Sequence, residues 1–191
     1  MGTGTGETVS VLVVDDERDV AETYAGHLST DETFEPTVAA GGQEAVAAVD
    51  EDVDVVLLDR RMPGFSGDDV LRHVRDAGYD CAVGMVTAVS PDEDVVSLPF
   101  DTYLVKPVHH EELLEVTHTL ARLRTYEDAV REEFTLARKC ALLSEHLSPS
   151  ELADSEAYDR LRERYEAVAD ETDAALDEMD VGDIRRTLGR I

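Results

Sequence analysis

The chain has 191 residues, 44 of them Asp or Glu against 17 Lys or Arg, a formal net charge of −27 and a 42% apolar content. That is chain enough for one full domain with a smaller appendage, and far too acidic for a generic polyanion binder, which needs a positive field. No apolar run approaches the about 20 residues of a membrane span, and the start MGTGTGETVS lacks the basic and apolar regions of a secretory leader, so a cytoplasmic protein is expected.

Residues 1–7 read as a flexible tail; their GTGTG follows no strand and lacks phosphate-loop spacing. From Thr8 the sequence alternates short apolar runs with amphipathic stretches. VSVLVV ends at Asp15, and Val20, Tyr24 and Leu28 follow at helical spacing. A second extended run covers Phe34 to Ala40, before QEAVAAV. VDVVLL ends at Asp59; a Gly-rich loop then leads into a helix carrying Val70, Leu71 and Val74. CAVGMVT reaches Thr87, a short segment spans Pro91 to Leu98, TYLV precedes Lys106, and a last helix begins near His109. Ser90-Pro91-Asp92-Glu93 reads as a capping box, and Pro99 closes that segment early. Five β-type runs, each followed by a helix, predict a parallel sheet with helices on both faces.

After about Arg124 the β pattern stops. Val130, Phe134, Ala137 and Ala141 make one apolar stripe, and Leu136, Cys140, Leu143 and Leu147 a second. Ser148-Pro149-Ser150-Glu151 predicts a turn with another capping box. Tyr158 to Met179 keep the three-four rhythm, and Val181 to Ile191 add a short helical piece. An antiparallel helical hairpin is expected, with dimerisation through the same helices as a second reading.

The two cysteines, Cys81 and Cys140, show no metal-ligand spacing, and the scattered histidines predict no metal site. Lys106 and Lys139 are the only lysines; the other fifteen cations are arginines. Such acidity with so little lysine suits a chain that folds in concentrated salt. Residues 1–120 carry a net charge of −20 and residues 121–191 one of −7. Arg160, Arg162 and Arg164 form a local basic cluster, read as ion pairs with flanking acids rather than as a nucleic-acid contact.

In open parallel sheets ligands bind at the carboxyl ends of the strands. Those ends deliver Asp15, Asp16, Asp59, Thr87 and Lys106 to one rim. Three carboxylates together repel one another unless a cation is present, and a few hard oxygens with waters suit Mg²⁺. A nucleophilic carboxylate, an ammonium and a hydroxyl beside that ion are what phosphoryl transfer asks of a protein.

These residues resemble the response-regulator receiver domains of two-component signalling. The resemblance rests on Asp15-Asp16, the aspartate of LLDRRMPGFSG, Thr87 with Ala88, Tyr103 and Lys106-Pro107, and covers about residues 8–123. It implies a flavodoxin-like sheet of order 2-1-3-4-5, with Asp59 as phosphoacceptor from a partner histidine kinase. It also implies Asp16 as a direct Mg²⁺ ligand, Asp15 acting through water and orienting Lys106, and the Arg61 backbone carbonyl as a further ligand. Thr87 and Tyr103 would be a switch pair, the ring turning inward as Thr87 moves to the phosphoryl group. The Lys106-Pro107 bond would be cis. The surface that changes would be that of the fourth helix, fifth strand and fifth helix. Such a domain is a switch, not an enzyme with an external substrate.

Arg60-Arg61 reads as two solvated cations, with the sharper alternative that Arg61 leans over the phosphoryl group and sets its lifetime. Residues 125–191 resemble the HalX domain, which follows receivers in halophile regulators, through YEDAVREEFTLARKCALLSEHL, SELADSEAYDRL and IRRTLGRI. The expected output is an unidentified protein partner; the alternative is a transcription factor whose C-terminal helices bind DNA, although no helix-turn-helix is visible.

Overall fold

A computed structural model describes residues 8–90 and 98–178. The expected tail over 1–7, the capping box running from Ser90 into 91–93, the short helix after it and the piece from Val181 all fall outside the described residues. In chain order the elements are β1 Val9–Val14, α1 Arg18–Leu28, β2 Phe34–Ala39, α2 Gly42–Ala48, β3 Val55–Leu58 and α3 Gly67–Ala77. These are followed by β4 Ala82–Thr87, β5 Thr102–Val105, α4 His110–His146, α5 Pro149–Ala153 and α6 Glu156–Glu178. The chain forms two compact units, the first reaching Arg124 and the second beginning at Thr125.

In the first unit five strands pair in parallel in the order β2-β1-β3-β4-β5. Side chains alternate across a strand, so each strand feeds two cores. Val11, Val13, Val55, Leu57 and Val86 point to one face and pack with Ala21, Tyr24 and Leu28 of α1 and Leu113, Val116 and Leu120 of α4. Leu12, Val14, Val56, Leu58, Val83 and Met85 point to the other, against Ala45 of α2 and Val70, Leu71 and Val74 of α3. Every residue of β3 and β4 is buried, which is why those runs read as unbroken apolar stretches. β2 alternates buried and exposed positions and holds Pro36, tolerable because an edge strand has one side without ladder partners.

Local chemistry sets the ends of α3. Ser66 and Asp69 form a reciprocal capping box at its start, and Gly78, at φ 78°, takes the left-handed cap at its end. In the second unit α4 continues, and α6 runs back beside it: the Ser144 and Tyr158 hydroxyls lie 3.2 Å apart, and Arg164 grips Glu132 at 3.0 and 3.1 Å. Leu136 of α4 and Val168 and Thr172 of α6 are buried. Ser148 caps α5 through Glu151, with Pro149 inside the first turn. Among the described residues no helix is long and apolar enough to cross a membrane.

Candidate functional site

Strand geometry brings the rim residues together. Asp15 leaves β1 with its N–H bonded to the Ala39 carbonyl at 3.2 Å, and Asp59 leaves β3 bonded to the Val14 carbonyl at 2.9 Å. The Lys106 N–H bonds the Thr87 carbonyl at 2.8 Å. Adjacent parallel strands ending at one level therefore present five side chains to one edge. Ligand oxygens of Asp15, Asp16 and Asp59 lie within 4.8 Å of one another. Asp15 and Asp59 are buried, and Asp16 is exposed.

The three carboxylates are not equivalent. Asp15 accepts the Glu17 N–H on Oδ1 at 2.9 Å and the Lys106 ammonium on Oδ2 at 2.5 Å. Asp59 Oδ2 lies 3.5 Å from Lys106 Nζ, whereas Asp59 Oδ1 is buried with no hydrogen-bond partner. A buried, unpartnered carboxylate oxygen is costly unless a cation or an incoming group completes it. Three carboxylates with one such oxygen fit a hard divalent cation that keeps part of its water shell.

Burial works against the Lys106 charge, but the Asp15 hydrogen bond and the charges of Asp59 and Asp15 outweigh it and raise its pKa above the ordinary lysine value. Tyr24 stands in the same field. Burial pushes its hydroxyl above the ordinary value; Lys106 and the Val108 backbone pull it down, and Asp15 and Asp59 push it up. Helical spacing marks Tyr24 only as core.

Thr87 is buried, and its Oγ1 accepts the Val89 N–H at 3.4 Å. Tyr103 is 4% exposed and donates its hydroxyl proton to the Val89 carbonyl at 2.8 Å. The inward ring, expected to follow a movement of Thr87, is thus the packing this structure records. The Lys106-Pro107 peptide bond is cis.

One reading changes. Arg60 is not solvated: it is 7% exposed, and its Nε reaches Asp68 Oδ1 at 3.2 Å in the first turn of α3. Arg61 is exposed. Burying a guanidinium requires such a carboxylate, and Asp68 is placed there by a tight backbone approach. The Gly67 N–H bonds the Arg60 carbonyl at 2.9 Å, and a Cβ on Gly67 would collide with the Asp59 carbonyl oxygen. Only glycine fits there.

Residues 11–118 match the family model of the response regulator receiver domain. The chain belongs to that family. Residues 122–188 match the HalX domain. The receiver's fold is also that of a CheY-like receiver domain protein from Methanospirillum hungatei JF-1, 24% identical, with a TM-score of 0.59 over 63% of this chain and 99% of that one. The response regulator TrrA from Thermotoga maritima, solved in complex with Mg²⁺-BeF, is 33% identical, with a TM-score of 0.53 over 59% of this chain and 99% of that one. A provisionally named transcriptional regulator from Haloferax volcanii is 48% identical over 87% of this chain; the match spans 28% of that relative's length. The chain thus carries a receiver domain followed by a HalX domain.

Proposed function

We propose that this response regulator takes a phosphoryl group from a sensor histidine kinase onto Asp59, with Mg²⁺ at the acidic cluster. In this reading the receiver spans 8–123 and a HalX-like output domain spans 125–191, both in the cytoplasm. The observation that carries it is Asp59 Oδ1, buried at the rim and unpartnered beside two other carboxylates and an ammonium.

Asp59 Oδ1 attacks the phosphorus of a phosphohistidine; the O–P bond forms as the N–P bond breaks, and the ring nitrogen keeps the electron pair. Lys106 bonds a phosphoryl oxygen, and Thr87, whose oxygen already accepts from Val89, donates its own proton to another. Asp16, Asp59 and the Arg61 carbonyl would hold the metal directly. Asp15, with both oxygens engaged by Glu17 and Lys106, acts through water and holds the lysine in place. Mg²⁺, when bound, supplies the positive charge that lets two anions meet. The chain assists this transfer and its own hydrolysis but turns over no external substrate: the residue two places after Asp59, where related phosphatases carry an acid, is Arg61.

The modified Asp59 and the Thr87–Tyr103 pair shift the population between two packings. Output then passes to a protein partner through the changed face and the C-terminal helices. The name of the Haloferax volcanii relative favours a second reading, DNA binding by those helices. Against it, Arg160, Arg162 and Arg164 each pair with an acid, at 3.6, 2.7 and 3.0 Å.

Incubation with acetyl phosphate and Mg²⁺, followed by intact mass spectrometry, tests the proposal. One added phosphoryl group is expected, lost in Asp59→Asn and in the presence of a chelator. An unchanged mass in a chain shown by circular dichroism to be folded overturns it.

A further inference from the structure

Among the described residues, five large apolar side chains are exposed, and three of them, Val130, Phe134 and Leu142, lie on one stretch of α4. Phe134 is 64% exposed and Leu142 57%. The stripe through Leu136, Cys140, Leu143 and Leu147 is the more buried one; the Phe134 stripe, which the sequence marks as equally apolar, faces solvent. Phe134, Arg138, Ala141 and Glu145 recur at four- and three-residue steps, so they form one line on the helix, roughly 16 Å long at about 1.5 Å per residue. With Thr135, Lys139 and Leu142 they line a shallow depression, and the Arg138 guanidinium sits 5.8 Å from the Phe134 ring centroid.

The order of charge along this line decides what covers it. Cations Arg138 and Lys139 lie toward one end and Glu145 toward the other, with apolar Ala141 and Leu142 between. A two-fold contact uses one patch twice and must be complementary to itself. A parallel pairing would set Arg138 against Arg138 and Glu145 against Glu145, both repulsive. An antiparallel pairing about an axis between Ala141 and Leu142 sets Arg138 against Glu145 of the second copy, twice, and closes the apolar pair at the centre. The geometry points to the Arg138–Glu145 stretch of α4 as the docking surface for a second copy of this chain, in antiparallel register, with Phe134 at its rim. The proposal rests on α4 alone and is independent of the role of Asp59.

Cysteine cross-linking of the full chain tests both partner and register. In a Cys140→Ser background, where the remaining Cys81 is buried, Arg138→Cys and Glu145→Cys chains are oxidised mildly in molar salt, each alone and mixed. The mixture is expected to give a disulfide-linked heterodimer many-fold faster than either chain gives a homodimer. Leu142→Asp, at a position already exposed and beside the two-fold axis, is expected to abolish the link while the helical circular dichroism stays unchanged; Ala141→Asp serves should the first variant fail to fold. No link in the mixture, a homodimer of Arg138→Cys formed as fast as the heterodimer, or a link indifferent to the aspartate substitutions overturns the proposal.

Discussion

Lys106 is where charge, burial and chemistry meet in one side chain. Its side chain is 16% exposed, with the ammonium 2.5 Å from Asp15 and 3.5 Å from Asp59. Its pKa is raised in the fold, so the stability it contributes is complete below the ordinary lysine value of 10.5 and is lost only as the pH climbs through the higher folded value. Around neutral pH the contribution is constant. Lys106→Met should therefore destabilise the chain at neutral pH, because two buried carboxylates then face each other without a cation. Breaking a buried pair in this way costs about 3 kcal/mol. Mg²⁺ should recover more stability in the variant than in the parent, since it neutralises the same carboxylates. Thermal melts with and without Mg²⁺ check both statements; a variant that melts with the parent, with an equal response to the ion, contradicts them. Asp15, Asp59, Thr87 and Lys106 are legible in the sequence because the rule that strands deliver side chains to one edge needs no three-dimensional detail. Asp68 and Tyr24 are not. Their relation to the rim depends on how close α3 comes to the β3 exit, set by Gly67, and on the rotation of α1, neither of which periodicity contains.

Elements are joined by a few polar contacts whose strength depends on pH. The turn between α1 and β2 is tied to α4 by Asp31, whose Oδ1 accepts the Thr33 N–H at 2.9 Å and whose Oδ2 meets His118 Nε2 at 2.8 Å. The Thr33 backbone and hydroxyl, with the imidazole after them, hold the Asp31 carboxyl at about 2, below its ordinary 3.8. A depressed carboxylate contributes stability that is full above the unfolded value and disappears as the pH falls through the folded one. Asp31→Asn should therefore be less stable than the parent at about pH 5, and the gap should narrow between about pH 4 and pH 2. Denaturant midpoints across that range measure it; a gap of constant size would mean that the contact does not depend on the charge of Asp31. The strands themselves are legible, since β3 and β4 are buried on both faces and read as continuous apolar runs. The sequence marks a helix beginning near His109 and a separate change of pattern near Arg124; the structure runs one helix from His110 to His146 through that change. Its 37 residues contain no glycine or proline, so nothing local stops it at the change of composition near Arg124. Arg75 shows what sequence spacing cannot carry: from α3 it reaches the Cys81 and Pro99 carbonyls and Asp101, joining segments distant along the chain.

At the scale of the whole molecule the net charge of −27 sets the conditions under which any of this folds. Two effects of salt oppose each other. Screening weakens exposed ion pairs such as Arg162–Glu166 and Arg18–Glu22, but such pairs contribute about 0–1 kcal/mol each at most. Screening also relieves repulsion among the excess acids, 20 of which lie in residues 1–120. That repulsion reaches over the Debye length, about 8 Å at 0.15 M and about 3 Å at 1 M, so at low salt each carboxylate feels several neighbours and at high salt hardly any. The second effect has more members and wins. The melting temperature should rise steeply with NaCl or KCl up to about 1 M, then flatten as the screening length falls below the spacing of surface charges. Sulfate should lift it further through stronger apolar burial, which separates the two contributions. Because the excess charge is concentrated in the receiver, its near-ultraviolet tyrosine signal from Tyr24 and Tyr103 should disappear on dilution from salt before the helical signal of residues 125–178 does. A melting temperature unchanged between 0.15 M and 2 M chloride would show that the acidic surface carries no repulsion worth screening, and the composition would then need another reason.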